Sequence, residues 1–150
     1  MRYLLAQIAL SLGLLLPMWS HFHPSSLLVG AILIVLGCLL YGYCFRFLRL
    51  GSFHLTPTPN TGQPLVRAGP YALIRHPMYA ASLLIFLGVS IGYGDPLKIP
   101  LMLALVAVLI AKAKQEERHL LLLFPDYSDY MRTSWRLLPW VYLVLFTCGQ

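Results

Sequence analysis

Four apolar runs, separated by short polar or proline-glycine breaks, organise most of the chain. Leu4 to Leu16 closes at Pro17-Met18-Trp19, and Leu27 to Phe45 carries no charge at all. Met78 to Tyr93 is stopped by Gly94-Asp95-Pro96, and a fourth run from about Leu97 to Ala111 keeps a helical pattern through Phe124. Uninterrupted apolar stretches of this kind are the mark of membrane-spanning helices. Several are short, since a run of ~16 residues makes a helix of only roughly 24 Å, so flanking aromatic residues and local thinning of the bilayer are expected. Leu137 to Cys148 is apolar but shorter still, and reads as an interfacial or re-entrant helix, with a fifth span as the alternative. The predicted fold is therefore all-α and integral to the membrane. It has about four transmembrane helices in a single domain over residues 1–150. The first run begins like a signal peptide, with Arg2 ahead of an apolar core. Trp19-Ser20-His21-Phe22-His23 lacks a small-x-small cleavage pattern, so a retained span is expected.

Composition supports the bilayer as solvent. Hydrophobic residues make up 59% of the chain and charged residues 11%, against roughly 25% charged in soluble domains. Cys38, Cys44 and Cys148 have no paired spacing and suggest neither a disulfide framework nor a zinc site. His21 and His23 form an H-x-H pair without further ligands, which reads as surface histidines. The net charge of +6 is spread around the ends of apolar runs rather than along a stripe with interleaved aromatics, so headgroup contact is expected and nucleic acid is not. With the N-terminus inside, Arg2, Arg46, Arg49, Arg67, Arg75, Lys112, Lys114, Arg118, Arg132 and Arg136 share one face, and Lys98 alone lies on the other. Such a bias predicts a multi-pass protein whose chemistry sits on the cytoplasmic side.

Three stretches on that side carry candidate chemistry. Gly69-Pro70 makes a turn, and Pro77 forces His76 out of helical geometry while suiting the first position of the third span. Arg75 beside that helix start forms a plausible anion site, or else Arg75, His76 and Tyr79 are interface anchors. In the second stretch, Lys112 and Glu116 are four apart and can pair. Glu116 and Glu117 point about 100° apart on a helix, so at most one is expected to face a given pocket. In the third, Tyr127 and Tyr130 share a helix face, and Arg136 stands ahead of an apolar segment, placed to grip a carboxylate or phosphate or to reach headgroups. The loop from Gly51 to His76, rich in Pro, Thr and Gly, is long enough to suggest a function.

Taken together these stretches resemble the isoprenylcysteine carboxyl methyltransferase family, a group of membrane methyltransferases that includes relatives of phosphatidylethanolamine N-methyltransferase. The resemblance rests on Gly69-Pro70-Tyr71, Arg75-His76-Pro77-Met78-Tyr79, Glu116-Glu117-Arg118-His119-Leu120, Phe124, Tyr127, Tyr130 and Arg136-Leu137-Leu138-Pro139, in order over about residues 50–140. Ala81 departs from a glycine common in the family, which could narrow an approach of backbone to cofactor. The resemblance implies S-adenosylmethionine as cofactor, held by Gly69, Tyr71, Arg75, His76, Tyr79 and Glu117. It implies Glu116 and Arg136 as the catalytic residues, with Arg136 toward the methyl acceptor. That acceptor is expected to be hydrophobic or lipid-like, a carboxyl or an amine, entering from the bilayer. The compactness of the chain suggests a prokaryotic inner membrane.

Two other classes share some of these features. Integral-membrane sterol reductases have a similar R-H-P-x-Y-containing region that serves NADPH, but they are much longer. A non-catalytic membrane protein with a degenerate site is the other, and the intact Arg75-His76-Pro77 and Glu116-Glu117 argue against it.

Overall fold

The computed structural model describes residues 2–16, 24–47 and 65–137. Among them the chain is wholly helical apart from one isolated bridge between Ile74 and Trp135. Helix α1 spans Arg2–Leu15, α2 Pro24–Phe47, α3 Pro77–Tyr93, α4 Lys98–Leu123 and α5 Tyr127–Thr133, with a short 3-10 turn at Gly69–Ala72 ahead of α3. The helices coincide with the apolar runs to within a few residues. The segment after Leu137, expected to be interfacial, re-entrant or spanning, lies outside the described residues, as do His21, His23, Cys148 and the first part of the long loop.

Among the described residues, only α2 is both long and apolar enough to cross a membrane, at 24 residues; α1 and α3 are shorter apolar helices. The outward side chains are strongly apolar, with Leu5, Leu12, Leu28, Val35, Leu39 and Leu103 all exposed. Water would penalise such a surface, whereas lipid chains would not.

Helices α2 and α3 meet through small residues. Gly30, Gly37 and Cys44 recur every seven positions on α2 and are its buried residues. Gly30 faces Gly88 and Gly37 faces Ala81 and Ile85 of α3, so closely that a Cβ on Gly30 would stand 2.6 Å from the Gly88 carbonyl oxygen. Without a hydrophobic force between helices in lipid, this closeness is what holds them, through dispersion contacts along the seam. Ala81 is fully buried there, with its carbonyl oxygen against Gly37. The position that departs from the family's common glycine thus lies in the seam between α2 and α3.

Helix α1 packs on α4 by a different device. Leu14 joins Leu83, Leu105 and Leu109 in a buried cluster. Beside it the fully buried Lys98 donates to the carbonyls of Leu14 at 2.5 Å and Leu16 at 3.2 Å. The Lys98 ammonium therefore caps the negative end of α1 from the first turn of α4. The residue that counted only as the lone outer charge is a helix cap. Lys98 marks one end of the bundle, and the 3-10 turn, the start of α3, the polar half of α4 and α5 gather at the other.

Candidate functional site

The site is built where three chain segments meet. Pro77 opens α3 at its first position, and His76 ahead of it has non-helical backbone, with φ −123° and ψ 61°. A proline disfavours helical geometry in the residue before it. Freed from the helix, residues 73–76 pair with the stretch after α5. Trp135 N–H donates to the Leu73 carbonyl at 2.8 Å, Arg75 N–H to Trp135 at 2.7 Å and His76 N–H to Arg136 at 3.1 Å. This short parallel pairing aligns Arg75 and His76 with Arg136. The 3-10 turn fixes its approach. Gly69 has φ +61°, open to glycine, and a Cβ there would run into the Phe47 ring at the end of α2. The Tyr71 carbonyl accepts a hydrogen bond from the Tyr130 hydroxyl, which ties the turn to α5.

The third segment is α4. Leu105, Leu109, Ala113 and Glu117 are buried at a spacing of four, so one stripe carries the apolar face straight into a carboxylate. Glu117 is 2% exposed and is surrounded by cations. Arg75 Nε donates to its Oε1 at 2.8 Å, while Arg136 reaches Oε2 through Nε at 2.8 Å and Nη2 at 2.6 Å. Burial alone would push this carboxyl up, but His76, Arg136 and Arg75 outweigh it and hold it down at about 2. The guanidinium of Arg75 is further committed to the Met131 carbonyl at 2.8 Å and to the Ser134 carbonyl. Arg75, expected to help hold an anion at the helix start, is therefore aimed at Glu117 and at the end of α5.

Glu116 differs from its neighbour. Its side chain keeps 24% of its surface exposed, and Oε1 accepts a hydrogen bond from the Tyr79 hydroxyl at 2.6 Å. Between the two carboxylates lies His76, with Nδ1 3.5 Å from Glu116 Oε2 and Nε2 3.5 Å from Glu117 Oε1. At that distance Nε2 makes no hydrogen bond, and it is a buried polar atom without a partner among the described residues. The ring stacks on Tyr79, with centroids 5.2 Å apart and planes within 9°. Both adjacent glutamates thus come within 3.5 Å of one side chain. The 100° between them is spanned by one imidazole that offers a nitrogen to each. Lys112 does not pair with Glu116 as its spacing allowed; it donates to Gln7 of α1 at 3.0 Å and stands 5.1 Å from the Tyr79 ring centroid.

All eight predicted site residues thus lie at one end of the bundle, Gly69 and Tyr71 on its turn and the other six in and around the carboxylate pair. Sequence reasoning missed Gln7 and Ser134 as neighbours, and gave Lys112 a different partner. Only the stripe at 105, 109 and 113 carried a signal, because it extrapolates to Glu117 as the inward glutamate.

No solved structure matches the chain. The cobalt-zinc-cadmium resistance protein CzcN of Cupriavidus metallidurans is 38% identical over 72 residues, which cover 47% of this chain and 33% of that protein. The chain thus matches about a third of the length of that curated relative. Residues 25–126, running from the start of α2 to the residue before α5, match the model of the phospholipid methyltransferase family. The chain belongs to the phospholipid methyltransferase family.

Proposed function

We propose that this protein is a multi-pass membrane methyltransferase that uses S-adenosylmethionine to methylate a lipid-like acceptor on the cytoplasmic side. One observation carries the reading. A partly exposed carboxylate, Glu116, stands beside the parallel His76-Tyr79 pair, with the buried His76 Nε2, unpartnered among the described residues, behind them. The donor set suits this cofactor, whose ammonium and sulfonium are cations and whose ribose and carboxylate offer hydrogen-bonding oxygens. When bound, S-adenosylmethionine supplies an electrophilic methyl group. The residues of the chain bind and orient. Glu116 and the ring of Tyr79 attract positive charge, and His76 offers its second nitrogen to an incoming polar group. Glu117 is saturated by its two arginines, so its part is positioning: it holds Arg75, Arg136 and His76 in place. Gly69 and Tyr71 act through the turn that sets the approach to α3.

Methyl transfer is an in-line displacement that depends on alignment and on exclusion of water. A site where α4 passes from apolar to polar suits an acceptor arriving sideways from lipid and a cofactor arriving from water. The ten basic residues on this side, against Lys98 on the other, support a cytoplasmic orientation. The test is calorimetry of the protein in nanodiscs with S-adenosylmethionine, alongside NADPH, for the wild type and Glu116→Gln. Saturable binding of the methyl donor alone, weakened by the substitution, is the expected result. Binding of NADPH alone would replace this reading with the reductase one. The similarity to CzcN adds a physiological question, answered by growth of a deletion strain in cobalt, zinc and cadmium.

A further inference from the structure

The match to the methyltransferase family begins at residue 25, so α1 (Arg2–Leu15) lies outside it. Yet α1 is built into the bundle: Leu14 is fully buried against α4, and Lys98 caps its end. It also reaches the candidate site. Gln7 Oε1 accepts a hydrogen bond from Lys112 Nζ at 3.0 Å, and that ammonium stands 5.1 Å from the ring centroid of Tyr79. Tyr79 in turn donates to Glu116.

The chemistry at this junction is one-sided. Lys112 is half-buried at the point where the apolar half of α4 gives way to its charged half. An ammonium drawn partly out of water normally has a carboxylate partner. Here its acceptor is a neutral amide, while Glu116 is occupied by Tyr79. Lys112 has donors to spare beyond Gln7, and the half-buried amide nitrogen of Gln7 adds two more with no acceptor among the described residues. Donors thus converge from two helices at the bilayer interface, one turn of α4 away from the carboxylate.

We propose that Gln7 and Lys112 form the subsite for an anionic oxygen group on the acceptor, so that α1 contributes to acceptor specificity. The inference rests on the methyltransferase reading for the word acceptor, but the subsite itself requires only an anion-bearing amphiphile. The separation of Lys112 from Glu116 along α4 places a positive and a negative pole side by side. An acceptor then lies with its anionic oxygens toward Gln7 and its methyl-receiving group toward Glu116.

Two substitutions separate this role from a merely structural one. Lys112→Gln removes the cation. Gln7→Glu keeps or strengthens the tie between α1 and α4, while cancelling the charge that an anion would meet. Binding of dihexanoyl phosphatidate is measured in neutral detergent by intrinsic tryptophan fluorescence, with dihexanoylglycerol and inorganic phosphate as comparison ligands. S-Adenosylmethionine binding and thermal stability are measured on the same samples. Phosphatidate is expected to bind the wild type more tightly than either comparison ligand. Both variants should weaken it about tenfold or more, the scale of one charge-assisted contact, with stability retained in Gln7→Glu. Lys114→Gln, on an exposed position of the same helix, should bind as the wild type does. Equal phosphatidate affinity in the wild type and Gln7→Glu overturns the subsite, as does binding of inorganic phosphate alone at equal strength. Loss of S-adenosylmethionine binding in the wild type would instead count against the methyltransferase reading and leave the lipid arm to decide the subsite.

Discussion

Arg136 grips Glu117 through two nitrogens on a single oxygen, Nε at 2.8 Å and Nη2 at 2.6 Å from Oε2. This contact ties the stretch after α5 to the C-terminal half of α4, and Arg75 completes it from the opposite side at 2.8 Å. Removing the carboxylate would leave two guanidinium groups facing each other in a buried place. Glu117→Ala is therefore expected to destabilise the protein by about 3 kcal/mol, the usual scale for breaking a buried ion pair from one side. Denaturation in mild detergent measures it. Unchanged stability would mean that the triad contributes little to the fold.

The same carboxyl carries a pH signature. Glu117 is held at about 2 in the folded protein against an ordinary value of 4.5. A depressed carboxylate stabilises the fold fully above the higher value, and that contribution is lost as pH falls from about 4.5 toward 2. Acid titration of the unfolding midpoint should show a steeper decline for the wild type than for Glu117→Gln. Parallel profiles would contradict the assigned environment.

Glu116 and Tyr79 separate function from folding better than Glu117 does, since Glu116 is partly exposed and bonded to a hydroxyl rather than to arginine. Tyr79→Phe keeps the ring against His76 and loses only the hydrogen bond. It is expected to lower methyl-donor affinity by up to about tenfold with little change in the unfolding midpoint. A shift in stability with unchanged affinity would make the pair structural.

The seam between α2 and α3 makes a packing prediction. A Cβ on Gly37 would lie 2.6 Å from the Ile85 side chain and 2.9 Å from the Ala81 carbonyl oxygen, whereas one on Gly42 meets nothing within 4 Å. Gly37→Ala is expected to cost about 1–3 kcal/mol through overpacking, and Gly42→Ala to be neutral or mildly stabilising. Thermal unfolding of the two variants side by side checks this, and equal midpoints would place the seam elsewhere.

Gly69 combines both constraints of the turn, a positive φ and contact with Phe47. Gly69→Ala should cost about 1–3 kcal/mol in stability from backbone strain alone. It should also weaken donor binding, because Tyr71 lies in the same turn and Arg75 follows shortly after it. Calorimetry on the purified variant measures the second effect, and full donor affinity would detach the turn from the site.

Much of this protein was decided by the sequence itself. Runs of apolar residues with proline and glycine at their ends specify where each helix begins and stops, because those are local matters of solvation and backbone sterics. Pro77 dictates the bend at His76 for the same reason. The family, too, was legible in Arg75-His76-Pro77 and Glu116-Glu117 taken in order. Tertiary structure alone decided how these groups are used. The pairing of residues 73–76 with Trp135 and Arg136, the burial of Lys98 as a cap on α1 and the reach of Gln7 to Lys112 join positions far apart in the chain. No local pattern encodes such distances. The same holds for the two glutamates. Helical periodicity separates them by an angle, and only a side chain brought in from another segment, the His76 imidazole, makes both part of one site.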